Sequence, residues 1–219
     1  MRALVLQHDH NAPAGLLAEW AAERGWSLDV IRLDQGERAP ADLSAYDRVV
    51  TLGSEHAADD DSVPWQDEEQ RTLRAAVAAD VPVFGICFGG QSLARAMGGG
   101  VRRAALPEIG WVDVGACADG TLGAALGSGP WLGWHVDEIL PPEGAEILAR
   151  NASGVQAWRL GRNVGLQFHP EVDEAIVGSW IESEREVREV PDGLAEATTR
   201  EAPGARARAF ALFDALLLG

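Results

Sequence analysis

Val83-Phe84-Gly85-Ile86-Cys87-Phe88-Gly89-Gly90-Gln91 decides how the rest of this chain is read. An apolar run from Val81 to Ile86, fit for a buried strand, passes through Gly-x-Cys-x-Gly into a short helix. That helix ends before Gly98, Gly99 and Gly100, where glycine serves as a stop. A strand-to-helix turn this sharp strains its apex residue, and the backbone passes so closely that the residues two positions to either side must be small. Gly85 and Gly89 meet that need. The apex, Cys87, then stands at a helix N-terminus, whose partial positive charge favours a thiolate, with the amide of Phe88 free to receive an oxyanion. This is a nucleophile elbow with sulfur in place of oxygen, although the motif alone leaves open a buried structural cysteine in a glycine-rich turn.

Upstream, short apolar runs alternate with amphipathic ones. Ala3 to Gln7, Leu28 to Leu33 and Arg48 to Leu52 read as strands, and Pro13 to Arg24 and about Pro64 to Ala79 as helices. The first helix carries Leu17, Trp20 and Ala21 on one face, and the second turns Leu73 and Val77 to its sheet. This alternation predicts an α/β fold with crossover helices on the faces of a sheet. Downstream, Ile109 to Val114, Glu138 to Leu140, Val155 to Leu160 and Val164 to Phe168 are short strands between Gly, Pro and Asn turns, which predicts a mixed sheet edge. Past Pro170 the chain turns helical and charged through Ile181 to Val190, and a last helix gathers Ala209, Phe210, Phe213, Leu216 and Leu217 on one face. With no internal repeat or long linker, residues 1–219 are expected to form one domain, with a C-terminal helical extension over about 173–219.

A second motif lies about eighty residues beyond the elbow, at Gln167-Phe168-His169-Pro170-Glu171. A strand ends there at a histidine fixed by the following proline. Histidine near a thiol can act as general base and acid, and a carboxylate two residues on can hold its ring in one tautomer. Alone, such a histidine reads as a structural hydrogen-bonder. Paired with Cys87, at another strand end of one α/β sheet, it reads as catalytic, because such strand ends converge on the binding crevice.

The elbow with its Gln91 and the His-Pro-Glu together resemble the class I glutamine amidotransferase family, with echoes in Leu52-Gly53-Ser54, Glu108-Ile109-Gly110-Trp111 and Trp134-His135-Val136-Asp137. The likeness runs from about Leu4 to Val172 and is nearest the stand-alone branch similar to the amidotransferase domain of GMP synthase. It implies a flavodoxin-like fold with a central, mostly parallel sheet and flanking helices. It also implies that Cys87 is the nucleophile, His169 the acid and base, and Glu171 its orienting carboxylate. Gly53 and Phe88 then supply the oxyanion-hole amides, and Gln91, His135, Val136 and Asp137 the substrate pocket. The implied reaction releases ammonia from the glutamine side chain through a glutamyl thioester. Relatives often carry His-Gly-Asp where this chain has His135-Val136-Asp137, and a β-branched valine does not easily copy glycine's conformations, which implies an altered pocket for the substrate's α-amino and carboxylate groups.

Composition narrows the remaining choices. A formal charge of −16 repels nucleic-acid backbones and anionic membranes, so neither is an expected partner. All 18 basic residues are arginines, which excludes a Walker-A lysine and a lysine Schiff base. Two cysteines, no export signal and no run of about 18–20 apolar residues predict a cytoplasmic setting without a membrane span. His8, Asp9, His10 and His56, with Asp59 to Asp61, match no compact ligand spacing, so no metal and no cofactor is expected. Cys117 lacks the elbow context and reads as structural. Two enzymatic readings remain: a glutaminase passing ammonia to a separate synthase subunit, or a stand-alone hydrolase of γ-glutamyl amides or peptides. A silent regulatory protein need not retain Cys87, His169 and Glu171 together.

Overall fold

The computed structural model describes residues 1–184 and 190–218. Among them, nine strands join one sheet: β1 (Arg2–Gln7), β2 (Ser27–Arg32), β3 (Arg48–Thr51), β4 (Val83–Ile86), β5 (Gly100–Val112), β6 (Trp131–Leu140), β7 (Glu146–Asn151), β8 (Gly154–Leu160) and β9 (Asn163–Leu166). Their order is β2-β1-β3-β4-β9-β8-β6-β5, with β7 paired to β8 off that path. From β2 to β9 every pairing is parallel, and from β9 to β5 every pairing is antiparallel. The helices are α1 (Gly15–Glu23), α2 (Gln66–Ala78), α3 (Phe88–Ala96), α4 (Gly120–Leu126), α5 (Glu174–Glu184) and α6 (Leu194–Phe213), the last running into a π-helical turn at Asp214–Leu218. Helices lie on both faces of the sheet, the α/β architecture that the alternation of runs predicts. Among the described residues no helix is long and apolar enough to cross a membrane.

Strand periodicity sorts side chains into two cores. Ala3 and Val5 of β1, Val50 of β3, and Phe84 and Ile86 of β4 face one side with Leu17 and Trp20 of α1 and Phe210 and Phe213 of α6. Leu4, Leu6, Val49 and Val83 face the other with Leu73 and Ala76 of α2 and Leu93 of α3. Each Val, Leu, Ile or Phe among them contributes about 1.5–3 kcal/mol on burial, so a one-residue slip of any parallel strand is prohibitive. The C-terminal turn is also tied by polar bonds. Asp214 accepts from Trp20 Nε1 at 2.9 Å and from Arg24 Nε and Nη2 at 3.0 and 2.8 Å.

The parallel half follows the sequence reading to within a few residues, and the antiparallel half departs from it. β5 begins at Gly100, nine residues before the expected strand at Ile109, because Arg102, Arg103 and Leu106 lie exposed on an edge strand and present no continuous apolar run. β6 starts at Trp131 rather than Glu138, across Gly133. β7 and α4 have no counterpart in the sequence reading; the first reads Glu-Ile-Leu-Ala-Arg-Asn and the second holds two glycines in seven residues. The expected helix from Ile181 to Val190 is described as far as Glu184, and residues 185–189 lie outside the described part.

Two glycines set opposite expectations. A Cβ at Gly89 would overlap Thr51 O, whereas one at Gly178, inside α5, meets nothing within 4 Å. Gly89→Ala should therefore cost about 1–3 kcal/mol or more, and Gly178→Ala should add about 0.5–1 kcal/mol, read from urea midpoints at constant slope.

Candidate active site

Four adjacent parallel strands, β1, β3, β4 and β9, release their chains at the carboxyl edge of the sheet, where sheet order reverses about β1 and a crevice opens. His8 follows β1, Gly53 follows β3, Cys87 follows β4 and His169 lies just beyond β9. Cys87 sits at φ 52°, ψ −111°, a positive φ shared only with Asp80 among the described non-glycine residues. Close backbone crossings hold it there: its N–H donates to Leu166 O at 2.8 Å, and the Gly89 N–H donates to Leu52 O at 3.0 Å. A Cβ on Gly85 would overlap Gly89 O, and one on Gly90 would overlap Leu166 O. Gly85 and Gly89 are thus the small residues the elbow requires, and Gly90 is a third.

His169 lies against this turn. Its N–H donates to Leu132 O at 2.8 Å, and its Nδ1 donates to Glu171 Oε1 at 2.7 Å, with both side chains buried. Glu171 is itself placed by Leu16 N–H of α1, which donates to its carbonyl at 2.7 Å. Burial alone disfavours the imidazolium, but the charges of Glu171 and Cys87 outweigh it, and the His169 pKa is pushed up to about 10. Trp180 meets the ring edge-on at 4.8 Å between centroids, and Trp134 packs on Trp180 at 5.5 Å. Cys87 Sγ lies 3.8 Å from Trp134 O and 3.7 Å from Gln167 Nε2.

A cavity of about 100 Å³ opens over the thiol, lined by Gly53, Cys87, Phe88, Gln91, His135, Val136, Asp137 and His169. Every site residue expected from sequence therefore meets at one place, with Glu171 behind His169. The amides of Gly53 and Phe88 make no hydrogen bond to a described residue. Gln91 Nε2 donates to Asp137 O at 3.3 Å and to Gln167 Oε1 at 3.2 Å, so it braces the pocket wall. Both His135 ring nitrogens are occupied, Nδ1 at 2.9 Å from Asp137 O and Nε2 at 3.0 Å from Glu108 Oε2. Glu108 in turn accepts from Asn151 at 2.7 Å and from Gln156 at 2.9 Å. Val136 lies in extended β6, a conformation that suits a β-branched residue, so its difference from glycine acts through bulk rather than backbone.

Sequence reasoning gave no role to Gln167, although it stands in the quoted motif, nor to Asp9, Asn11, Glu55 and His56 at the cavity rim. The histidines and acids weighed as a metal constellation are otherwise engaged: His8 with Glu69, His10 with Asp9 and Asp61 with Arg95. Cys117 is exposed, its Sγ 3.5 Å from Gly115 O.

Known proteins resemble this chain over most of its length. Residues 14–179 match the family described as glutamine amidotransferase class-I. The glutamine amidotransferase-like protein YfeJ of Salmonella typhimurium is 30% identical over 198 residues, covering 85% of this chain and 83% of that protein. One subunit of the glutamine-hydrolysing GMP synthase of Sulfurisphaera tokodaii is 41% identical over 103 residues, 44% of this chain and 54% of that relative. A glutamine amidotransferase of Thermotoga maritima superposes with a TM-score of 0.88 at 26% identity, over 100% of this chain and 99% of that one. This chain belongs to the class I glutamine amidotransferases, a family of enzymes. It spans about a quarter of the length of the full-length GMP synthases it matches.

The raised pKa of His169 has a kinetic consequence. A ring still protonated at pH 7 favours a neighbouring thiolate, so iodoacetamide should label Cys87 at least about tenfold faster in the wild type than in His169→Gln. The ratio should close as pH rises towards about 10, where His169 loses its proton and the pairing charge disappears. Equal rates at pH 7 would refute the pairing.

Proposed function

We propose that this chain hydrolyses the side-chain amide of glutamine. The carrying observation is the buried His169–Glu171 pair, with its histidine held protonated beside Cys87 on a strained strand-to-helix turn. The Cys87 thiolate attacks the amide carbon, and the carbonyl π electrons move onto oxygen, where the Gly53 and Phe88 amides receive them. The tetrahedral adduct collapses as His169 gives its proton to the departing nitrogen, leaving ammonia and a glutamyl thioester. His169, now neutral, takes a proton from water, the hydroxyl adds to the thioester, and collapse expels the thiolate and frees glutamate. Glu171 fixes the ring throughout and stabilises its charged form. In this reading Gln91 and His135 keep the pocket wall in place, while Val136 and the Asp137 carboxylate face the amino-acid end of the substrate. The similarity to one subunit of a glutamine-hydrolysing GMP synthase supports ammonia delivery to a separate synthase chain. A nucleophilic thiol works in a reducing compartment, which supports the cytoplasm as its place of action.

A second reading, hydrolysis of γ-glutamyl amides or peptides, is favoured by one feature. A larger cavity of about 490 Å³ adjoins the thiol's own and shares Asp9, Glu55 and His56 with it, leaving room for a longer leaving group. Intact-mass analysis after exposure to 6-diazo-5-oxo-norleucine separates the readings. A single adduct in the wild type, lost in Cys87→Ser, is expected for a glutamine pocket. No adduct, with Cys87 still alkylated rapidly by iodoacetamide, would transfer the assignment to γ-glutamyl amides.

A further inference from the structure

Behind the loop that carries Gly53 lies a second buried histidine–carboxylate pair that the reaction as written does not use. His8, the residue after β1, and Glu69, in the first turn of α2, have side chains wholly out of solvent, with His8 Nε2 at 3.1 Å from Glu69 Oε1. The other ring nitrogen, Nδ1, lies 3.3 Å from Gly53 O. Thr51 Oγ1, at the end of β3, donates to the same Glu69 oxygen. The pair therefore grips the loop on both sides of Leu52. His8 also packs on Phe88, at 4.9 Å between ring centroids, and on Trp65 at 4.7 Å. One side chain thus touches both segments whose amides are assigned to the oxyanion.

Hydrogen bonding defines what this pair does. Both ring nitrogens of His8 face oxygen, the Gly53 carbonyl on one side and the Glu69 carboxyl group on the other. An isolated buried pair of this kind contributes little net stability, because desolvation offsets the attraction. Its geometric effect on Gly53 is direct. A Cβ there would stand 3.1 Å from His169 Cε1, so any larger residue would press on that ring. Glycine brings wide torsional freedom, which would let the amide turn away from the oxyanion. The preceding peptide is held through Leu52 O by Gly89 N–H, and the following one through Gly53 O by His8.

We propose that His8 and Glu69 are positioning residues of the oxyanion hole: they hold the peptide that follows Gly53 and the Thr51 side chain before it, while Gly89 holds the peptide between, so that the Gly53 amide stays aimed at the developing charge. The inference rests on the glutaminase reading for its kinetic arm and on the loop geometry for its second arm. Glu69→Leu removes the partner of both His8 Nε2 and Thr51 Oγ1, and His8→Gln removes the ring. In both variants kcat for glutamine should fall about 10- to 100-fold with KM changed less than about threefold, because the lost interaction belongs to the transition state. Iodoacetamide alkylation of Cys87, which forms no oxyanion, should stay within about twofold of the wild type. Hydrogen exchange over residues 51–56 should speed by about tenfold or more while α2 keeps its protection. A wild-type kcat, a matching fall in kcat and alkylation, or unchanged loop exchange would each overturn the assignment. A wild type that leaves glutamine intact would defeat the glutaminase reading instead, and the exchange measurement would still decide the clamp.

Discussion

The turn at Cys87 is the constraint on which the rest of the site depends. A cysteine at positive φ between β4 and α3 is tolerable only where the backbone around it is over-determined. Here Gly85, Gly89 and Gly90 let α3 lie directly on the ends of β3, β4 and β9, with Leu52 and Leu166 as the carbonyl partners of the turn. That contact positions the thiol and the Phe88 amide together. It also presses the Gly53 loop and His169 into the same small volume, since those chains leave the strands that α3 touches. Strain at one residue is thereby converted into the placement of four groups.

Electrostatics follows the same pattern. The chain is strongly acidic, yet each buried histidine sits beside one glutamate: His169 with Glu171, His8 with Glu69 and His135 with Glu108. These pairs surround a single crevice, and each holds a different part of it. The first lies against the Cys87 turn, the second holds the Gly53 loop and the third braces the β6 wall through Asp137 O. Buried ionisable pairs are poor sources of net stability, so their concentration here points to geometry as the property maintained. The exposed histidines, His10 and His56, lie at the mouth of the adjoining cavity.

Legibility from sequence tracks how local each signal is. β1, β3, β4 and α3 are readable because buried parallel strands are continuous apolar runs and the elbow's glycines are a backbone requirement visible in composition. The Cys87–His169–Glu171 set is readable for the same reason, since its members stand at or just past strand ends. The first half of β5 and the whole of β7 escape because edge and antiparallel strands borrow their conformation from neighbours: residues 100–105 read as arginines and small residues until β6 is laid beside them. The carboxylate partners escape for a deeper cause. Nothing local ties His8 to Glu69, 61 positions away, or His135 to Glu108, 27 away; only the folded sheet brings them together. His8, weighed in sequence as part of a metal cluster, has the same residue type and strand-end position as a catalytic base, and only the two acceptors at its ring distinguish a brace from a reactant.

Val136 shows where the same argument reaches substrate choice. Read as a letter in His135-Val136-Asp137, it suggests a backbone that glycine alone could follow. In the fold, β6 is extended there and valine is at ease, so the stretch of strand that His135 and Gln91 brace at Asp137 O is kept. What changes is volume at the cavity wall. The surroundings of the thiol are therefore fixed by backbone crossings and buried pairs. Elsewhere the cavity is bounded by side chains, Val136 at its wall and Asp9, Glu55 and His56 where the larger cavity adjoins it. In a site built this way the chemistry is held by backbone geometry, and specificity is free to vary through bulk at the wall and rim.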